Sequence, residues 1–216
     1  PNTTDAGRRR YRYGNQPHIG AWNVARLLEC MAPLMDDVGR LQSVLDHCME
    51  FAMNAQSETW ADKLGLGVLQ ESDEQLVNDL LSLLGATEVD MTLFFRHLCS
   101  ITEPDVARLT NAFYEGSEPD TSAWNRWLVR WWKRVDGQPD RDGMLQANPK
   151  YVLRNWMAQL AIDAAEEKGD FSIAEELHEL LKCPYDEQPE HEEKWFQKRP
   201  EWARHRVGCS MLSCSS

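Results

Sequence analysis

The sequence lacks any apolar run approaching the roughly 20 residues that a membrane-spanning helix needs, so no membrane span is expected in its 216 residues. It also lacks the basic start, apolar stretch and small-residue cleavage site of a secretory signal. Positive charge is scarce: 23 Lys and Arg face 35 Asp and Glu, a net charge of −12. Nucleic acids are held by neutralising phosphates with Lys and Arg, so a general nucleic-acid binder is excluded. Cysteine is sparse. The six cysteines include no C-x-x-C pair, and none lies at zinc-ligand spacing from a histidine. A structural zinc site is therefore not expected, and the scattered thiols suit a reducing compartment.

Catalytic motifs are missing as well. Gly65-Leu66-Gly67 lacks the rest of any phosphate-binding loop, and there is no H-E-x-x-H, G-x-S-x-G or H-R-D. The acid pairs Asp36-Asp37 and Glu166-Glu167 are adjacent, so on a helix they point to different faces and cannot share a metal or divide acid–base work. His191-Glu192-Glu193 reads as a solvated charged run. No segment alternates with period 2, and no repeat of 20–50 residues recurs.

What is present is helical. A composition of 42% hydrophobic and 27% charged residues is that of a globular chain long enough to bury a core. Residues 1–17 are rich in turn formers and read as an irregular segment. It carries a basic island, Arg8, Arg9, Arg10 and Arg12 against Asp5, open to two readings: solvated loop arginines, or a clamp for phosphate or an acidic surface. Helical spacing runs from Ile19 to about Leu34. It resumes from about Val38 to Leu64, with Leu41, Val44, Leu45, Cys48, Phe51, Ala52 and Ala55 on one stripe. Cys30, Cys48 and Cys99 sit in apolar patterns and are expected as small core residues. Ser72-x-x-Gln75 reads as a capping box for a helix ending at Gly85, and Thr87-x-x-Asp90 as a looser start for the next. A helix is expected after Pro104, ending near Gly116. Ser122 is expected to cap a helix whose Trp124, Trp127, Leu128, Trp131 and Trp132 form a core seam rather than a partner-binding face. Gly137, Pro139, Asp140 and Gly143 read as a linker. Asn148-Pro149 reads as a helix start, with the helix running to a stop at Gly169, and a further helix spans about Ser172 to Leu181. Residues 184–208 read as an extended wrap anchored by Tyr185, Trp195 and Trp202. At the end of the chain, Cys214 lies near the terminus with Cys209 five residues upstream. A mobile redox thiol and an inert frayed tail are both open.

One block is specific. Asn148-Pro149-Lys150-Tyr151-Val152-Leu153-Arg154-Asn155 resembles the N-P-K-Y-[VI]-L-R-N signature of the selenoprotein O family. Pro184-Tyr185 and Trp202-Ala203 resemble its tail elements. Gln16-Pro17-x-Ile19-Gly20-x-Trp22-Asn23 resembles its Q-P-x-x-G-x-W-N, Pro1-Asn2-Thr3-Thr4-Asp5 its P-N-x-[ST]-D, and Cys214-Ser215-Ser216 its terminal C-S-S. The resemblance implies a protein-kinase-like fold and transfer of AMP from ATP, with Mg²⁺, to Ser, Thr or Tyr hydroxyls of proteins. It further implies that the nucleotide-binding, metal-binding and catalytic residues lie upstream of Pro1, so that this chain is a C-terminal fragment, inactive alone and binding neither ATP nor Mg²⁺ by itself. Asn2, Asp5, Arg10, Tyr11, Gln16 and Pro17 would belong to an activation-segment motif. Asn148, Pro149, Lys150, Tyr151, Arg154 and Asn155 would be structural, and Cys214 with Cys209 would be the redox thiols. In some members the terminal cysteine pairs with an activation-segment cysteine. The nearest aligned position here is Pro1, and a Cys209–Cys214 bridge is an alternative. The loop Asp5 to Tyr11 is one residue longer than the family's D-x-x-G-R-Y, with the glycine displaced.

The expected architecture is all-α: the lower part of a kinase-like C-lobe plus a helical extension. Its parts are an activation-segment-like loop (1–17), C-lobe helices and extension (18–135), a linker (136–147), a helical hairpin (148–183) and an extended tail (184–216). The Ile19–Leu34 helix is expected to be the buried central helix of that lobe. An apolar patch is expected around residues 1–35, where the upstream portion docks. Expected partners are that portion and protein substrates, with no nucleic acid and no membrane. The compartment would be mitochondrial in a eukaryote and cytoplasmic in a bacterium. Two rival readings are an autonomous helical interaction module and a thiol redox protein acting through Cys214.

Overall fold

A computed structural model describes residues 15–37 and 39–209. The architecture is all-α. In chain order the helices are α1 (Gln16–Met31), α2 (Gly39–Leu64), α3 (Glu74–Ala86), α4 (Met91–Leu98), α5 (Thr121–Arg134), α6 (Arg141–Ala147), α7 (Asn155–Lys168), α8 (Ser172–Leu180) and α9 (Pro189–Trp195). Short 3₁₀ turns cover Ala32–Leu34, Glu71–Asp73, Val106–Ala112 and Glu201–Ala203. Among the described residues the sole extended pairing is an isolated bridge between Val89 and Phe113. No helix there is long and apolar enough to cross a membrane. The chain divides into two units, one made of residues 1–57 with 202–216 and the other of residues 58–201.

The larger unit is built on the tryptophan helix. Trp124, Trp127, Leu128 and Trp131 of α5 are fully buried. They meet Leu76 and Leu80 of α3, Phe94 and Leu98 of α4, Leu109 of the 3₁₀ turn, and Leu64 at the end of α2. An indole enters a core cheaply only if its N–H finds an acceptor. Trp127 donates to the Leu76 carbonyl (2.8 Å) and Trp131 to that of Leu64 (2.8 Å). Their rings, one turn apart, stack at 6.2 Å. The expectation of a core seam holds.

Aspartates open several of these elements. Asp90, Asp120 and Asp140 each accept a backbone N–H of the first turn of α4, α5 and α6, at 3.1, 2.9 and 3.1 Å. The expected caps Thr87 and Ser122 are displaced by them, because a carboxylate caps and also meets the positive end of the helix dipole. The expected Ser72–Gln75 box is likewise replaced: the Gln70 N–H donates to the Asp73 carboxylate at 2.9 Å. The helix expected after Pro104 is a 3₁₀ turn. The segment read as a linker contains α6, whose Met144 is fully buried. Gly65 (φ +62°) admits that helix, since a Cβ there would stand 2.8 Å from the Met144 sulfur. The wrap read over 184–208 contains α9, and of its expected anchors Trp195 is buried while Tyr185 and Trp202 are half exposed.

The smaller unit is different in kind. Pro17 sits in the first turn of α1, where its missing N–H costs nothing. Ile19 is the one buried residue recorded for that helix, so α1 is not a buried central helix within this chain. A shallow groove between α1 and α2 is lined by Ala25, Leu28, Ala32, Leu41 and Leu45. Beyond it, Trp22, Leu27, Met31, Leu34, Val44, Phe51 and Met53 are exposed. Of the stripe expected to bury α2, Leu41 is buried, Leu45, Ala52 and Ala55 are half-buried, and Val44, Cys48 and Phe51 are exposed. Cys30 and Cys48 are exposed rather than in a core, and Cys99 alone of those three is buried.

Candidate functional site

The signature block 148–155 is a junction in the larger unit, not the helix start it resembles. Asn148 ends α6, its N–H bonded to the Met144 carbonyl at 2.9 Å. Its side-chain amide donates to the carbonyls of Met144 (2.9 Å) and Lys63 (3.0 Å), and its oxygen accepts from the Lys63 ammonium (2.7 Å). The next two donors, the N–H groups of Lys150 and Tyr151, both go to the Pro184 carbonyl, at 2.8 and 3.0 Å. The Asn148 oxygen is taken by Lys63 and the donors it would cap by Pro184, so the expected cap is not made. Helix α7 starts at Asn155 instead.

Lys150 is 3% exposed. Its ammonium donates to Glu187 and Glu192, each at 2.7 Å, and lies 5.2 Å from the centre of the Phe196 ring. Burial alone would lower its pKa, and the two carboxylates more than reverse that, leaving it raised. Arg96, buried in the apolar helix α4, spends its guanidinium on the carbonyls of Leu145 (3.1 Å), Asn148 (2.9 Å) and Tyr185 (3.0 Å) and on Glu187 (2.5 Å). The Glu187 carboxyl is held low, first by Lys150 and then by Arg96 against the opposing effect of burial. The Tyr151 hydroxyl lies 2.9 and 3.0 Å from the carbonyls of Glu187 and Gln188. Gln188 adopts a left-handed backbone (φ +40°), held by its own side chain donating to the carbonyls of Leu180 (3.1 Å) and Cys183 (2.7 Å).

Arg154 closes the far end. It grips Asp90 through both Nη atoms, with Nη2 to Oδ1 at 2.9 Å, and donates to the Gln197 carbonyl at 2.9 Å. Asp90 is 7% exposed and also caps α4, so one carboxylate joins the start of α4, the signature and the tail. Lys198 reaches the Phe113 carbonyl (2.7 Å), and Arg199 pairs with Glu88 (2.9 Å). The block therefore straps residues 184–199 to the core through buried cations and spent carbonyls.

The structure brings together Asn148, Lys150, Tyr151 and Arg154, all expected from the signature. Pro149 lies between them, and Asn155 opens α7. Gln16 and Pro17 open α1 in the other unit and are exposed. Asn2, Asp5, Arg10, Tyr11 and Cys214, with the arginine island and the Cys209–Cys214 pairing, lie outside the described residues. Cys209 is buried, 7% exposed. Sequence reasoning missed Arg96, Asp90, Glu187 and Glu192. A lone arginine within Met91-Thr-Leu-Phe-Phe-Arg-His-Leu was the available signal, since a charge in an apolar helical stripe needs buried partners.

This arrangement fastens: its charged side chains are engaged with one another and with backbone carbonyls. Among the described residues no three His, Cys, Asp or Glu side chains converge. The buried carboxylates Asp73 and Asp90 are engaged by Arg134 and Arg154. These residues do not fit a magnesium–nucleotide holder, and no step of transfer chemistry runs through them.

The strapped core defines an all-α helical body. The sequence model of the family described as protein adenylyltransferase SelO matches residues 1–182. The protein nucleotidyltransferase YdiU of Flavobacterium johnsoniae is 44% identical over 229 residues, covering 100% of this chain and 44% of that protein. The protein of the same name from Xanthomonas campestris pv. campestris is 44% identical over 225 residues, 100% of this chain and 43% of its own length. That from Rhodopirellula baltica is 44% identical over 240 residues, 100% and 44%. The chain belongs to the SelO family. It spans less than half the length of these curated relatives.

Proposed function

We propose that this chain is the helical C-terminal portion of a protein nucleotidyltransferase that transfers AMP from ATP, with Mg²⁺, to Ser, Thr or Tyr hydroxyls of proteins. The observation that carries this reading is the match along the whole chain, at 44% identity, to proteins named protein nucleotidyltransferase. The family description narrows the class to adenylyl transfer. In this reading the helices of residues 18–135 complete a kinase-like C-lobe and its helical extension, and residues 148–183 form a helical hairpin followed by the tail. The groups that bind nucleotide and metal lie in the part of the relatives that this chain does not span. The apolar residues that α1 leaves exposed, Leu27, Met31 and Leu34, are the kind of surface such a portion would cover. All the named relatives are bacterial, so the reading takes the bacterial, cytoplasmic branch of the expectation over the mitochondrial one. The redox reading narrows to Cys214, because Cys209 is buried.

The test is transfer of labelled AMP to a protein acceptor. The 216-residue chain alone should give none. A chimera in which it replaces the matching part of the Flavobacterium relative should transfer. Transfer by the chain alone, or an inert chimera that is folded, overturns the proposal.

A further inference from the structure

The long helix α2 carries a seam whose Val44, Cys48 and Phe51 are exposed. Val44, Cys48 and Phe51 follow one another at spacings of four and three, continuing the line that begins at Leu41 and reaches Ala55. A helix repeats a face at this 3-4 spacing, so the line is the pattern of a packed seam. Leu41 is buried at its head, yet Val44 is 46% and Phe51 76% exposed, and Cys48 is exposed. A phenylalanine three-quarters in water on an otherwise regular seam is a surface built for burial.

We infer that the Val44–Cys48–Phe51 face of α2 is the seat of the portion of the nucleotidyltransferase that this chain does not span. The inference rests on the function proposed above and adds the surface through which it is assembled. The occupant follows from two observations. More than half of the Flavobacterium relative lies outside the span of this chain, at a coverage of 44%, so a large body is available to cover the seam. A second copy is the poorer fit. The positions flanking the seam, Leu45, His47, Ala52 and Asn54, carry no Glu–Lys pairs to set a coiled-coil register, and the net charge of −12 opposes self-association.

Cys48 lies within the seam and reports its burial. In the chain alone it should react readily with iodoacetamide. In the folded chimera with the Flavobacterium remainder it should react at least tenfold more slowly, and urea should restore the rate. Equal rates in chain and chimera overturn the inference, while AMP transfer by that same chimera would leave the proposed function standing. Protection without AMP transfer would remove the function and keep the surface. Slow labelling in the chain alone that recovers on dilution, with a dimer by light scattering, assigns the seam to a second copy and overturns the inference. A second measurement needs no chimera. Phe51→Glu should leave the melting temperature of the chain alone unchanged, and a marked fall would mean that the chain covers the seam itself.

Discussion

Arg154 and Lys150 both fasten the strap from buried positions, yet their removal should have unequal effects. The partner of Arg154 is Asp90, with a side chain 6% exposed. Truncating the arginine strands a carboxylate away from water, a loss of about 3–5 kcal/mol for breaking a buried pair. The partners of Lys150, Glu187 and Glu192, are 64% and 52% exposed. They rehydrate once the ammonium is gone, so Lys150→Met should cost about 1.5–3 kcal/mol, the scale of charge-assisted hydrogen bonds. Urea unfolding of Arg154→Met, Lys150→Met and the pair Arg154→Met with Asp90→Asn checks this. The double variant should recover much of the arginine loss, and equal costs for the two single variants would contradict the account. Titration follows from the same neighbourhood. Burial, with Lys150 adding to it and Glu192 and Asp90 opposing, pushes His97 below its ordinary 6.5. The folded state therefore favours the neutral ring. Its contribution to stability is complete above pH 6.5 and is lost as pH falls through the lower folded value. Glu187, held low by Lys150, contributes above 4.5 and loses that contribution as pH falls through its own depressed value. Melting temperature should accordingly fall in two stages between pH 8 and pH 3. His97→Phe should remove the upper stage and Lys150→Met should weaken the lower. An upper stage that persists in His97→Phe would refute the assignment.

At the scale of elements, legibility depended on whether the deciding partner was local. Helix α7 ends where its sequence says, because Gly169 adopts the left-handed cap (φ +63°) that L side chains resist. Gly169→Val should cost about 1–2 kcal/mol, read as a drop in urea midpoint at constant slope, and a neutral result would count against the cap. The same helix begins six residues later than Asn148-Pro149 suggests. The cap that Asn148 would supply is lost to non-local partners: its oxygen accepts from Lys63, and the N–H groups of Lys150 and Tyr151 go to Pro184, more than thirty residues away. The core role of the tryptophans was legible from period alone, since three indoles one turn apart make one face. The strap was not. Arg96 bonds mainly to backbone carbonyls, which have no letter in a sequence, and Lys150 and Arg154 bond to carboxylates more than thirty residues away. Helix starts were missed in opposite directions, the cap Asp90 lying three residues after Thr87 and Asp120 two residues before Ser122. Each time a carboxylate caps the first turn where a hydroxyl was expected.

The molecule as a whole joins two units of unequal completeness, and α2 runs through both. Its last turns bury Ala61 and Leu64 in the tryptophan core, while its first turns present Val44 and Phe51 to water. Helices are held in place chiefly by the apolar face they bury, and a 16-residue helix such as α1 is marginal in water without one. Opening free energies within one protein range from near zero to the global value, according to local burial. The backbone N–H groups of α1 and of residues 39–57 should therefore exchange with deuterium through local opening, well before those of α4 and α5. Residues 61–64 should exchange with the slow group although they belong to the same helix as residues 39–57. A gradient of protection along a single helix is the distinguishing sign. Fragment-resolved hydrogen–deuterium exchange would show it as a break within α2, and uniform protection from residue 39 to residue 64 would mean that burial in the larger unit stabilises the helix over its full length.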